Sequence, residues 1–199
     1  MNILAQILSY IAHPSIMPIL GTFFILRFHH YALPSALQNQ ILLLVILGTY
    51  ILPLIASAIL YRMGYISSLL MKKPSDRKMP FILGAVFFYF TAQLLKGVET
   101  IPALYIFVLS ASITIFTQLL FLKKLKISAH AAGISGLMTI VIYYSAQGIL
   151  ISPHFIALGI LLAATIGWAR LRIQAHTLTE VVAGYIAGST PLALLLWTI

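Results

Sequence analysis

The chain has 199 residues, 61% of them hydrophobic and only 8% charged, with a formal net charge of +9 and no cysteine. A water-facing domain carries about 25% charged residues, so this composition excludes an ordinary soluble protein. It also excludes a disulfide framework and a thiolate metal site. The basic residues lie in short connections between apolar runs, which argues against nucleic acid as a partner.

Seven apolar segments follow one another, at 3–27, 40–61, 79–97, 101–122, 127–150, 154–170 and 176–198. In lipid an open chain satisfies its backbone hydrogen bonds only as helices, so the expected fold is all-α: a polytopic transmembrane bundle of six to seven helices forming one integral membrane domain over 1–199. The first segment lacks a basic n-region and a small-residue cleavage site, and is read as a retained helix. His13-Pro14 is expected to break it into an interfacial piece and a span, and Pro53 to kink the second segment. Short turns make neighbouring helices antiparallel hairpins. Gly184-x-x-x-Gly188 in the last segment, with Ala129-x-x-x-Gly133 and Ala132-x-x-x-Gly136 in the fifth, mark close helix contacts.

Alternating loops place 62–78, 123–126 and 170–175 on one side. Ten of the twelve Lys and Arg belong to that side: Arg62, Lys72, Lys73, Arg77, Lys78, Lys123, Lys124, Lys126, Arg170 and Arg172. Only Arg27 and Lys96 fall on the other. The positive-inside rule makes the basic face cytoplasmic, in an inner or plasma membrane.

Polar groups within the spans are few. The acids are Asp76, Glu99 and Glu180. Glu99 lies in a turn, and Asp76 sits among cations with which it is expected to pair. Glu180 follows His176 by four residues, so both occupy one helical face, where a carboxylate holds an imidazole in one tautomer. Arg170 is six residues before His176. On the same side Ser128 is the expected N-cap of the fifth helix. His130 points into the bundle beside amides that suit an anion. Lys72, Lys73, Arg77 and Lys78 precede the third helix, with Pro80 suited to an early helical position. These cations suit a phosphate or anionic headgroups. His130, Arg170 and His176 are thus expected to line one cavity at one face, with Glu180 behind His176. Three separate loops deliver cations, two histidines and a carboxylate, with no glycine-rich nucleotide loop and no acidic cluster for magnesium.

At residues 72–190 the chain resembles the type 2 phosphatidic acid phosphatase superfamily, whose signature reads K-x6-R-P, then P-S-G-H, then S-R-x5-H-x3-D. The third part resembles Arg170-x5-His176-x3-Glu180, followed by Val181-Val182-Ala183-Gly184. The second resembles Ile127-Ser128-Ala129-His130, and the first the Lys72-to-Pro80 stretch. Ala169 stands where the family has serine, Glu180 where it has aspartate, and Met79 rather than arginine precedes Pro80. The resemblance implies a phosphatase-like helical core and a metal-independent hydrolase without cofactor, acting on lipid phosphates or polyprenyl pyrophosphates drawn from the bilayer. It implies His176 as nucleophile, Glu180 as its orienting acid and His130 as proton donor to the leaving oxygen. Lys73, Arg77, Arg170 and the amides near Ser128 would bind phosphate. Two other readings compete: a catalytically inactive relative that binds or moves anionic lipid, and an unrelated transporter or assembly protein. No internal repeat favours the transporter.

Overall fold

A computed structural model of the chain describes residues 3–29, 31–71, 73–149 and 152–198. Lys72 therefore lies outside the described residues. Among them the chain is helical without strands. It is an integral membrane protein, with seven helical stretches long and apolar enough to cross a bilayer: Ile3–Phe28, Ser35–Arg62, Pro74–Leu95, Pro102–Phe121, Ala129–Ala146, His154–Arg172 and Leu178–Leu196.

The first stretch is broken where His13-Pro14 predicts it. Helix α1 (Ile3–Ile11) ends before a short 3-10 turn (Pro14–Ile16), and α2 (Met17–Phe28) follows. The second stretch joins α3 (Ser35–Ile46) to α4 (Leu52–Arg62) through a π-helical turn at Leu47–Ile51. Pro53 has no N–H to give the preceding turn, and the wider π ladder takes up the mismatch just ahead of it. Five further helices complete the bundle: α5 (Pro74–Leu95), α6 (Pro102–Phe121), α7 (Ala129–Ala146), α8 (His154–Arg172) and α9 (Leu178–Leu196). Pro74 and not Pro80 occupies the first helical position of α5, with Lys73 as the N-cap. The expected start at 79 came too late, because a polar, cationic first turn carries no apolar signal.

The core is formed where α6, α7 and α9 meet, and α5 packs along α6. Leu104, Val108, Ile140, Tyr144 and Leu192 are fully enclosed there. The small-residue patterns act as close contacts. A Cβ added at Gly184 would stand 2.8 Å from the Ala131 Cβ, and one at Gly188 would collide with the backbone of Ala132. Gly133 faces elsewhere, towards Met17 and Pro14. Hydroxyls tie the helices further: Ser112 donates to Ala85 O at 2.8 Å and Thr114 to Ala187 O at 3.0 Å.

Candidate active site

The α8–α9 turn sets the position of His176. Gln174 takes a left-handed φ of 53°. Its N–H donates to Leu171 O at 3.0 Å, while Ala175 N–H donates to Arg170 O at 3.1 Å. This pair of bonds is the Schellman ending of a helix, and it reverses the chain within a few residues of Arg170. Helix α9 then starts with a capping box: Thr177 Oγ1 accepts from Glu180 N–H at 3.3 Å, and Glu180 Oε2 accepts from Thr177 N–H at 3.1 Å. The Thr-x-x-Glu signal for that box stands in the sequence, and the sequence reading passed over it.

The same oxygen serves the histidine. His176 Nδ1 lies 2.9 Å from Glu180 Oε2 and 3.0 Å from Lys126 O. Both partners only accept, so Nδ1 carries the proton and the neutral ring leaves its lone pair on Nε2. The side chain of His176 is almost wholly enclosed. Burial holds its pKa down, to about 4; the Glu180 hydrogen bond opposes this and the charges of Arg170, Lys126 and Arg77 add to it. At neutral pH the ring is therefore uncharged, with one open nitrogen.

The start of α7 is stitched to this turn. Ser128 N–H donates to Glu180 O at 3.0 Å, and Lys126 Nζ donates to Ala175 O at 3.1 Å. Ser128 is the N-cap, as its type and place predict, with its Oγ accepting from Ala131 N–H. Its own amide is engaged, so among the described residues the amides left open at this helix end are those of Ala129 and His130. His130 Nε2 lies 3.0 Å from Ser9 O. A carbonyl only accepts, so Nε2 carries the proton here and Nδ1 is the nitrogen without a partner among the described residues.

Arg77, Lys126 and Arg170 surround His176 within electrostatic reach of it, and His130 is within reach of both Arg170 and His176. Arg77 Nε donates to Met71 O at 3.0 Å. Arg170 is half-buried, and its Nε is a buried donor with no partner among the described residues. Lys126 sits below its usual pKa through burial first and then Arg77, with Glu180 opposing and Arg170 adding. Three cations thus face one carboxylate.

The expected residues His176, Glu180, His130, Arg170, Arg77 and Ser128 are brought together. Lys73 is not: it is exposed at the start of α5, and its described electrostatic neighbour is Asp76. Asp76 itself does more than balance nearby cations. It accepts from Ser67 N–H at 3.1 Å and from Ser67 Oγ at 2.6 Å, which clasps the α4–α5 loop. The sequence reading also missed Ser9 and His13 of the N-terminal segment, which lie against His130. An apolar groove of about 490 Å3 runs between α5 and α6, past Val86, Tyr89 and Phe116, away from the histidines.

No protein-family model matches this chain, and neither does a curated protein or a solved structure.

Proposed function

We propose that this protein is a membrane-embedded phosphatase that hydrolyses lipid phosphates or polyprenyl pyrophosphates through a phosphohistidine intermediate, without a metal. The observation that carries this reading is the electrostatic imbalance around His176. Among the described residues, Arg77, Lys126 and Arg170 face a single carboxylate, and the Arg170 Nε is buried without an acceptor. A buried donor left unpaired costs about 1–3 kcal/mol, and a phosphate dianion supplies both the acceptor and the missing negative charge. The same excess of cations repels a divalent metal.

In this scheme the Nε2 lone pair of His176 attacks phosphorus as the ester oxygen departs. Glu180 and Lys126 O hold the Nδ1 proton and stabilise the positive ring that forms. The departing oxygen takes a proton from His130. Because Nε2–H is bound to Ser9 O, the proton given up is one that Nδ1 takes from the monoanionic phosphate as it binds, which leaves the bound substrate as the dianion. Water then attacks the phosphohistidine, the P–N bond breaks, inorganic phosphate leaves and His130 recovers its proton from that water. Arg77 and Arg170, with the Ala129 and His130 amides, bind the equatorial oxygens.

A second reading, binding of anionic lipid phosphate without turnover, draws on the Ser9 contact, which already occupies one nitrogen of His130. Phosphate release from a panel of lipid monophosphates and polyprenyl pyrophosphates, with EDTA present, separates the two. Release that His176→Ala abolishes, with acid-labile and base-stable phosphate trapped on the wild type, supports the phosphatase. Lipid phosphate binding with no release supports the second reading. Absence of both refutes the two together.

A further inference from the structure

One titratable side chain lies against the cluster without a part in the scheme above. The His13 ring meets His130 edge-on, with centroids 5.9 Å apart and planes at 76°, and it is within electrostatic reach of Arg170. Local sequence puts it there. Pro14 cannot continue α1, and His13 becomes the cap of the 3-10 turn, accepting from Ser15 N–H through Nδ1 at 3.3 Å. That acceptor role places the proton of the neutral ring on Nε2, which has no partner among the described residues. The segment is anchored on both sides: α1 packs on α8, and Ser9 O holds His130.

We propose that His13 is a specificity-determining residue that donates its Nε2–H to the phosphate retained by the leaving group of a pyrophosphate substrate. The inference rests on the phosphatase reading. In-line transfer puts the nucleophile and the departing oxygen on opposite sides of the reacting phosphorus. The proposed roles assign His176 to the attacking side and His130 to the departing side, and His13 lies against His130, so it is placed to meet what departs. For a monophosphate ester that is an alkyl oxygen carrying little charge. For a polyprenyl pyrophosphate it is a second phosphate, rich in acceptors. A neutral donor suits it, because it adds a hydrogen bond to an anion without adding charge to three clustered cations.

The test compares kcat/KM for farnesyl pyrophosphate and for a short-chain phosphatidic acid in the purified full-length protein. His13→Ser keeps a capping oxygen but loses the reach, whereas His13→Gln keeps an amide donor of similar reach. His13→Ser is expected to lower pyrophosphate hydrolysis about tenfold, the worth of one hydrogen bond to a charged group, and to leave the monophosphate within about twofold. His13→Gln is expected to restore most of the loss. Equal losses on both substrates, no loss on either, or a wild type that hydrolyses only monophosphates would overturn the proposal while the phosphatase reading stands. A wild type that hydrolyses neither overturns both.

Discussion

Glu180 has two tasks, and a single substitution separates them. Its Oε2 accepts from Thr177 N–H at 3.1 Å, which starts α9, and from His176 Nδ1 at 2.9 Å, which in the proposed function prepares the nucleophile. Glu180→Gln keeps an amide oxygen able to close the capping box but removes the charge. The tautomer of His176 survives, since Lys126 O still accepts from Nδ1 at 3.0 Å. What is lost is stabilisation of the cationic ring formed when His176 takes the phosphoryl group. For a charge-assisted hydrogen bond this is about 1.5–3 kcal/mol, or about one to two orders of magnitude in kcat. KM should hold steady or fall, because three cations then face the phosphate with no opposing carboxylate. Glu180→Ala loses the cap as well and should cost about 1 kcal/mol of stability. Rapid-quench measurement of the phosphoenzyme, beside steady-state turnover and thermal melting in detergent, reads all three. Wild-type phosphoenzyme formation in Glu180→Gln would show that the carboxylate is a helix cap and nothing more.

Three further outcomes are expected. His176 has a folded-state pKa below the unfolded value, so its contribution to stability is intact above about pH 6.5 and is lost as pH falls below it, towards the folded value of about 4. Phosphoenzyme formation, which needs the neutral ring, should persist at about pH 5.5, and an acid limb centred on the ordinary imidazole value would contradict the burial argument. Gly184→Ala drives a methyl group into Ala131 and the Ser128 backbone; it should destabilise the bundle by about 1–3 kcal/mol and slow turnover through the displaced start of α7, and unchanged melting and rate would refute that packing. For orientation, Leu70→Cys and Thr100→Cys place exposed thiols at opposite ends of α5 in a chain without native cysteine. An impermeant reagent on intact cells should label only position 100, and preferential labelling at 70 would reverse the assignment of the basic face to the cytoplasm. Ser67 is a poorer probe because it clasps Asp76.

The spans were readable because each rests on a summed signal, hydrophobicity sustained over about 20 residues. The break at His13-Pro14 was readable for a different reason: proline cannot donate the hydrogen bond a continuing helix needs. The start of α5 was not, since Pro74 to Lys78 are polar and nothing apolar announces the helix. Within the site, His176 does meet Glu180, but not on one helical face as the spacing predicts: His176 lies in the bend before the Thr177 N-cap, and the capping box turns the Glu180 carboxylate back towards it. The meeting of Arg77, Lys126 and Arg170 depends on how three loops pack, and spacing says only that they share a side. Lys73 shows the limit. It shares the side and the charge of its neighbours, yet it is exposed at the start of α5, with Asp76 as its described electrostatic neighbour.

The least readable contact is the one on which the chemistry of His130 turns. No spacing rule links Ser9 to His130 across 121 positions, and a backbone carbonyl leaves no trace in residue type. Its consequence is specific, because it decides which ring nitrogen is free. If Ser9 O binds Nε2–H throughout the reaction, His130 must exchange its proton through Nδ1, and α1 is part of the machinery that sets its tautomer. Deleting residues 1–11 while keeping His13 releases that hold. Loss of turnover with lipid phosphate binding retained is then expected, read as kcat falling at constant KM. A truncated protein with wild-type kcat would show that His130 needs no support from the N-terminal segment.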